Sequence, residues 1–149
     1  MKKLLLVFLF LSLGQIFGQT KQDTLGIKKA ALDYVEGWLS GDMVRVKSAV
    51  SPELAKRRFV NVKPGLSYLS AMTASTLAIS SLGNKDGVRM KDYKPDEKLQ
   101  QKIVIFDIDG TNATAKTWNE KYNFFDYLHL AKDGDKWVII NVLWDMNSQ

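Results

Sequence analysis

Cysteine is absent from all 149 residues, histidine occurs once, and proline only three times. The first absence excludes disulfides, thiol nucleophiles, thiolate metal sites and the cysteine-borne lipid anchor of bacterial lipoproteins. A single histidine, His129, excludes a histidine-rich metal centre. Without cross-links a hydrophobic core must hold the fold alone. A chain of this size can do that, since it buries roughly two thirds of its unfolded surface. One domain is the natural expectation at this length. No apolar run reaches the ~20 residues that cross a bilayer. A long basic stripe interleaved with aromatics, the usual footprint of a nucleic-acid binder, is missing as well.

What is present begins with MKKLLLVFLFLSLGQIFGQ. Lys2 and Lys3 precede an apolar run from Leu4 to Leu11, and small and polar residues follow. This is the layout of a secretory signal peptide, with cleavage expected after Gly18 and export to the periplasm or the medium. Residues 1–18 would then be removed and residues 19–149 would form the single domain. Their loss takes away two of the 21 Lys and Arg but none of the 16 Asp and Glu, leaving a mildly basic remainder. Much of that surplus clusters at Lys56, Arg57, Arg58 and Lys63, which reads as a solvated strand edge or an anion-facing patch.

Ile27, Ala31, Tyr34, Val35, Trp38 and Leu39 recur at helical spacing behind Asp23 and Thr24, either of which can cap, and Gly41 ends the run. Asp42 predicts a cap for a short second helix through Val50. Ser51-Pro52 predicts a further single turn to Leu54. RRFVNV reads as a strand, Pro64-Gly65 as a type II turn, and Leu66 to Ser70 as the returning strand. Thr73 to Leu82 predicts a third helix, and Asn84 to Lys98 a polar surface loop. Four strand-like runs then follow, KIVIFDI, ATAKTWNE, YNFFDYLHLA and KWVIINVLW. Helices first and an antiparallel meander afterwards predict an α+β fold with the helices on one sheet face.

Within the first of those runs, KIVIFDIDGTNAT resembles the nucleophile loop of the haloacid dehalogenase phosphatases, with Asp107 in the nucleophile's place. That chemistry needs a parallel sheet with crossovers of a dozen or more residues, usually helical. The sequence beyond Asp109 offers strands alone. Asp109-Gly110 between two strands is also a strong hairpin signal, because Gly110 takes a positive φ without steric cost. Asp107 is therefore read as a strand residue. Asp107, Asp109, Asp133 and Asp135 sit at hairpin turns and lack the 12-residue frame of a calcium loop.

The segment ALDYVEGWLSGDMVRVKSAVSPELAKR, followed by DIDG, ATAK and FFDYLHLAKDGDKWVIINVLW, resembles the family labelled putative lumazine-binding, of the nuclear transport factor 2-like superfamily. The resemblance implies a cone-like roll: a curved antiparallel sheet wraps the first helix and leaves a pocket at its wide end. Compared with the steroid isomerases of that superfamily, Tyr34 falls at a first-helix tyrosine that supports the catalytic hydrogen bonds. Asp126 falls at a carboxylic acid that donates to the oxyanion, and Trp144 resembles a pocket tryptophan. The strand that carries the general base in those enzymes reads Lys56-Arg57-Arg58-Phe59 here, and no acid occurs from Leu54 through Leu82. Proton abstraction needs a positioned base, so its absence argues against isomerase chemistry. The superfamily hosts isomerases, dehydratases, hydrolases and pure binding modules, and fold alone does not choose among them.

Alternation places Asp126, Leu128 and Leu130 on one strand face, and Phe125, Tyr127, His129 and Ala131 on the other. Asp126 either faces an apolar interior as a protonated donor or pairs with a lysine at a strand edge. His129 is expected on the outer face, as a structural or dimer-interface residue. Tyr34, Trp38, Trp118, Trp137 and Trp144 could wall a pocket for a flat ligand, with about two of the five touching it and the rest packing. The expected ligand-binding set is Tyr34, Trp38, Trp118, Asp126 and Trp144, with no metal and no cofactor. The leading reading is an exported, non-catalytic binder of a small apolar or aromatic molecule, homodimeric through the sheet, without nucleic-acid partners. The alternatives are an isomerase- or hydrolase-type enzyme using Asp126 and Tyr34, with Asp145 as an extra acid, and a structural, dimerising module.

Overall fold

The computed structural model describes residues 20–87, 101–119 and 122–146. Helix α1 spans Lys21–Ser40, and its buried stripe includes Ile27, Ala31, Tyr34, Val35 and Leu39. Its cap is Thr20, whose Oγ1 accepts from the Asp23 amide at 3.0 Å. Asp23 and Thr24, the two caps the sequence suggests, both lie inside the helix, and Asp23 turns its carboxylate toward the sheet. Gly41 closes α1 with φ 72°, the left-handed conformation that glycine adopts freely. Asp42 then caps α2 (Met43–Ala49), its Oδ1 accepting from the Arg45 amide at 2.9 Å.

No helical turn follows at Ser51-Pro52. Strand β1 (Val50–Lys63) starts directly after α2. Val50 pairs with Ile139, and the ladder resumes only at Ala55 after a change of register. Pro52 falls inside that irregular stretch, where its missing N–H interrupts no ladder bond. The ladder there competes successfully with the local cap signal. Beyond the turn at Gly65, with φ 76°, β2 (Leu66–Met72) returns, two residues longer than expected. Thr73 caps α3 (Ala74–Ser81), and a 3-10 segment runs from Leu82 to Gly87. The remainder of the expected 84–98 loop lies outside the described residues.

The meander forms as predicted: β3 (Gln101–Asp109), β4 (Asn112–Asn119), β5 (Phe124–Asp133) and β6 (Lys136–Met146). The sheet order is β2-β1-β6-β5-β4-β3. All junctions are antiparallel except β1 against β6, which runs parallel, so the sheet is mixed. Asp107 sits on β3, exposed, with its neighbour Asp109 paired to Asn112 across the Gly110 turn. It is a hairpin strand residue, as the antiparallel reading required.

The three helices cover one sheet face, with α1 touching both β6 and the edge strand β3. Ile27, Val35, Leu39, Val46, Leu77, Leu128, Leu130 and Ile139 form the dry centre. Burial of such side chains contributes roughly 1.5–3 kcal/mol each. On β6 the register slips around Ile140, so Trp137 and Ile139 face inward, and so do Val142 and Trp144 beyond the slip. That slip sets the phase that brings Trp144 to the open end of the core.

Candidate functional site

Register assembles the site. On β5, Asp126 stands opposite Thr117 of β4 and Trp144 of β6, with all three on the helix-covered face. Tyr34 reaches the same point from the middle of α1, and Lys56 reaches it from β1. Tyr34 donates its hydroxyl to Asp126 Oδ1 at 2.8 Å, and Lys56 Nζ donates to the same oxygen at 2.7 Å. Lys56 also hydrogen-bonds the Tyr34 hydroxyl, and Thr117 Oγ1 lies 3.4 Å from Asp126 Oδ2. Asp126 has no exposed surface.

Two expectations about these residues need correction. The cationic run predicts a solvated or anion-facing Lys56, but the residue is only 7% exposed. Strand alternation splits the basic cluster: Leu54 and Lys56 turn inward, and Arg57 and Phe59 turn out. Asp126 faces inward and pairs with a lysine, a combination of the two alternatives, and the pairing is buried rather than at an edge. Each of its contacts makes the carboxyl an acceptor, so the donor role implied by the steroid isomerases is not the one this geometry displays.

Burial shapes the electrostatics. Removing the Lys56 ammonium from water lowers its pKa from the ordinary lysine value, partly opposed by the charge and hydrogen bond of Asp126 and reinforced by Arg58. Desolvation raises the Tyr34 hydroxyl well above the ordinary tyrosine value, and the adjacent Asp126 adds to the rise. Lys56 Nζ lies 4.4 Å from the Trp144 ring centroid and the Arg58 guanidinium carbon 4.3 Å from it. Both fall within cation–π range.

Above this polar floor opens a cavity of about 220 Å³. Tyr34, Trp38, Lys56 and Trp144 line it, together with Met72, Tyr122, Phe124 and Met146. Its size falls between the ~150 Å³ that admits benzene and the ~300–1,000 Å³ of typical ligand pockets. Asn119 Oδ1 accepts from the amide of Tyr122, one of the lining residues, at 3.0 Å.

Of the five aromatics considered from the sequence, three reach the cavity: Tyr34, Trp38 and Trp144. Trp118 does not. Its neighbours Thr117 and Asn119 are both fully buried, so Trp118 points to the outer face, where Lys102 and Lys116 lie over its ring. Trp137 is 3% exposed and packs in the core at the other end of β6. His129 is exposed and pairs loosely with Asn141 on the outer face. Asp145 is exposed and 3.7 Å from Arg58. Phe124 and Met146 could have been found by stepping two residues along the strand from Asp126 and Trp144. Lys56 required the phase of β1, which nothing local announces.

The arrangement can hold a flat apolar molecule between aromatic walls and offer it a hydrogen-bond donor at the floor. Lys56 has three ammonium donors, and Asp126 and Tyr34 use two. Among the described residues, no group of three or more His, Asp or Glu converges as a metal site would require. The donor set at the floor, one carboxylate tied to an amine, does not form such a site either.

Comparison with known structures places this geometry in a class. An NTF-2 like protein of unknown function from Silicibacter pomeroyi aligns with 87% of this chain and 99% of its own at a TM-score of 0.66 and 13% identity. An NTF2-like protein of unknown function from Methylobacillus flagellatus covers 88% and 97%, with TM-score 0.61 and 21% identity. A ketosteroid isomerase-like protein from Erwinia carotovora atroseptica covers 87% and 100%, with TM-score 0.57 and 12% identity. At such identities the likeness defines the fold alone: the nuclear transport factor 2-like α+β roll. No curated protein matches the sequence. Residues 22–145 match the model of the family described as Putative lumazine-binding, and the chain belongs to that family.

Proposed function

We propose that the protein is an exported, non-catalytic binder of a small aromatic molecule that carries a hydrogen-bond acceptor. The observation that carries this reading is the buried Tyr34–Lys56–Asp126 cluster at the floor of an aromatic-walled cavity. The family's description favours a small-molecule ligand, although it does not choose one. Tyr34, Trp38 and Trp144 form the walls, Asp126 fixes Lys56, and Lys56 meets the acceptor.

The missing base favours binding over turnover. The β1 position where steroid isomerases hold a carboxylate presents Lys56, and Asp126 is engaged by it. Native mass spectrometry of the exported protein tests the reading: a retained small molecule, lost in Trp144→Ala, supports it. Turnover of carbonyl or lactone substrates that collapses in a folded Asp126→Asn variant would transfer the site to the enzyme reading with Asp126 and Tyr34. Export itself rests on the charged and apolar N-terminal pattern, and N-terminal sequencing of the secreted form should begin at Gln19.

A homodimer through the outer sheet face has its own support. Phe106, Tyr127 and Leu143 lie exposed there, and Phe106 and Tyr127 stack with ring centroids 6.3 Å apart. Contiguous exposed aromatic surface of this kind marks interaction sites. Sedimentation should show a dimer that Leu143→Lys weakens. A monomer at high micromolar concentration would remove this assignment.

A further inference from the structure

We propose that Lys56 is a carbonyl-capturing amine, and that the cavity takes a small aromatic aldehyde or ketone which Lys56 holds reversibly as an imine. The proposal rests on the binding reading above and narrows its ligand class. Three features of the site carry it.

The first is placement. Lys56 lines the cavity, with its nitrogen 4.4 Å from the Trp144 ring centroid and 5.2 Å from that of Tyr34. A carbonyl on a ring held against those walls lies within reach of the amine. The second is ionisation. The charged groups facing Lys56 are Asp126 from β5 and Arg58 from its own strand, and Tyr34 from α1 is the neighbouring titratable hydroxyl. Asp126 favours the ammonium, whereas burial and Arg58 favour the free amine, and burial is the larger influence. A desolvated lysine beside a second cation is the setting in which lysine becomes a nucleophile. The third is proton handling. Asp126 and Tyr34 both contact the nitrogen and each other.

The step balances without an oxidant or reductant. The amine lone pair attacks the carbonyl carbon, and the π pair moves to oxygen. A proton passes from nitrogen to that oxygen by way of Asp126 or Tyr34, giving a carbinolamine. A second proton, delivered by the same two groups, reaches the oxygen, the C–O bond breaks, and water leaves as the nitrogen lone pair forms the C=N bond. The remaining N–H proton returns to the donor and restores the balance. The net change is carbonyl plus amine to imine plus water. A protonated imine would inherit the ammonium's ion pair with Asp126.

Benzaldehyde with sodium cyanoborohydride tests the idea, because the reductant fixes any imine as a benzyl-lysine. Peptide mapping of the wild-type protein should place the first benzyl group on Lys56. At neutral pH it should form measurably faster than on surface lysines, since a lysine held below its ordinary value by burial carries more free amine. Lys56→Arg should abolish that adduct and leave the slower ones. Benzyl alcohol, which has the ring but no carbonyl, serves as the non-covalent probe through tryptophan fluorescence. If benzyl alcohol binds while benzylation spreads over surface lysines, carbonyl capture is overturned and the binding reading stands. If neither probe engages the cavity, both fall.

Discussion

At the turn end of the β5–β6 hairpin, Lys132 and Trp137 converge on Asp23 near the start of α1. At the far end of the same hairpin, Asp126 and Trp144 converge on Lys56 beside Tyr34 of α1. The two ends thus use the same three residue types, an aspartate, a lysine and a tryptophan, for opposite results. Near the turn, the Trp137 indole N–H donates to Asp23 Oδ1 at 3.0 Å, and Lys132 Nζ donates to the same oxygen at 2.8 Å. The ring packs so closely on Gly26 that a Cβ there would lie 2.6 Å from Trp137 Cδ1. That end is filled. At the other end, Trp144 turns its ring face to the Lys56 amine instead of its N–H to a carboxylate, and a cavity remains in front of it. Orientation of the indole and burial of the lysine, rather than composition, separate a structural plug from a candidate binding site.

Substitutions can sharpen or break that contrast. The largest losses, roughly 3–5 kcal/mol in urea unfolding, are expected for Trp137→Ala, through a core void, and for Lys56→Ala, through a stranded buried carboxylate. Lys56→Met combined with Asp126→Leu should recover most of the second loss, since an apolar pair of similar volume often replaces a buried ion pair at little cost. Persistence of the full loss in the double variant would show that the pair holds the fold and not only the site. Gly26→Ala should cost about 1–3 kcal/mol by pushing the Trp137 ring away. Trp144→Ala and Trp38→Ala, which remove cavity walls rather than core, should cost less than about 2 kcal/mol each. A loss equal to that of Trp137→Ala would mean the cavity end is packed like the plug.

The smallest effect is the dependence on pH: stability rises with pH at both ends, in an acid window at Asp23 and in an alkaline window at Lys56. Asp23 is held below the ordinary value of 3.8, chiefly by its hydrogen bond from Lys132, then by those from Thr20 and Trp137. Its contribution is therefore complete above that value and drains away as pH falls through the folded one, where the unfolded chain binds the proton first. Asp23→Asn should flatten the acid limb of a stability–pH curve. Lys56 lies below 10.5 in the fold, so its burial penalty relaxes as pH rises from the folded value toward 10.5. Lys56→Met should remove that rise. Tyr34, raised above 10.0, opposes it beyond that point.

Much of the fold could be read in the residues. The helical stripe of α1, the Gly41 stop, the Asp42 cap and the Asp-Gly turns each act locally, so their signals are local too. The order of the meander followed from them. Ser51-Pro52 misled because a cap signal is local, whereas the pairing of Val50 with Ile139 joins residues far apart in the chain. The site was legible in part. Tyr34, Asp126 and Trp144 came through a family resemblance and the period of β5, and Trp38 through the count of aromatics that could wall a pocket. Trp118 misled because β4 turns small residues inward, Ala113, Ala115 and Thr117, and leaves its largest side chain outside. Lys56 was missed for the converse reason: a cationic run looks solvated on either strand phase, and only the pairing with β6 and Asp126 decides which lysine goes in.

The four tryptophans give four indole N–H resonances, two at the cavity, one in the core and one on the outer face. Titration of the isotopically labelled protein with benzyl alcohol therefore tests the central claim most directly. Saturable movement of the Trp38 and Trp144 resonances, with Trp137 and Trp118 unmoved, is the predicted result. Movement confined to Trp118, or none at all, would contradict it.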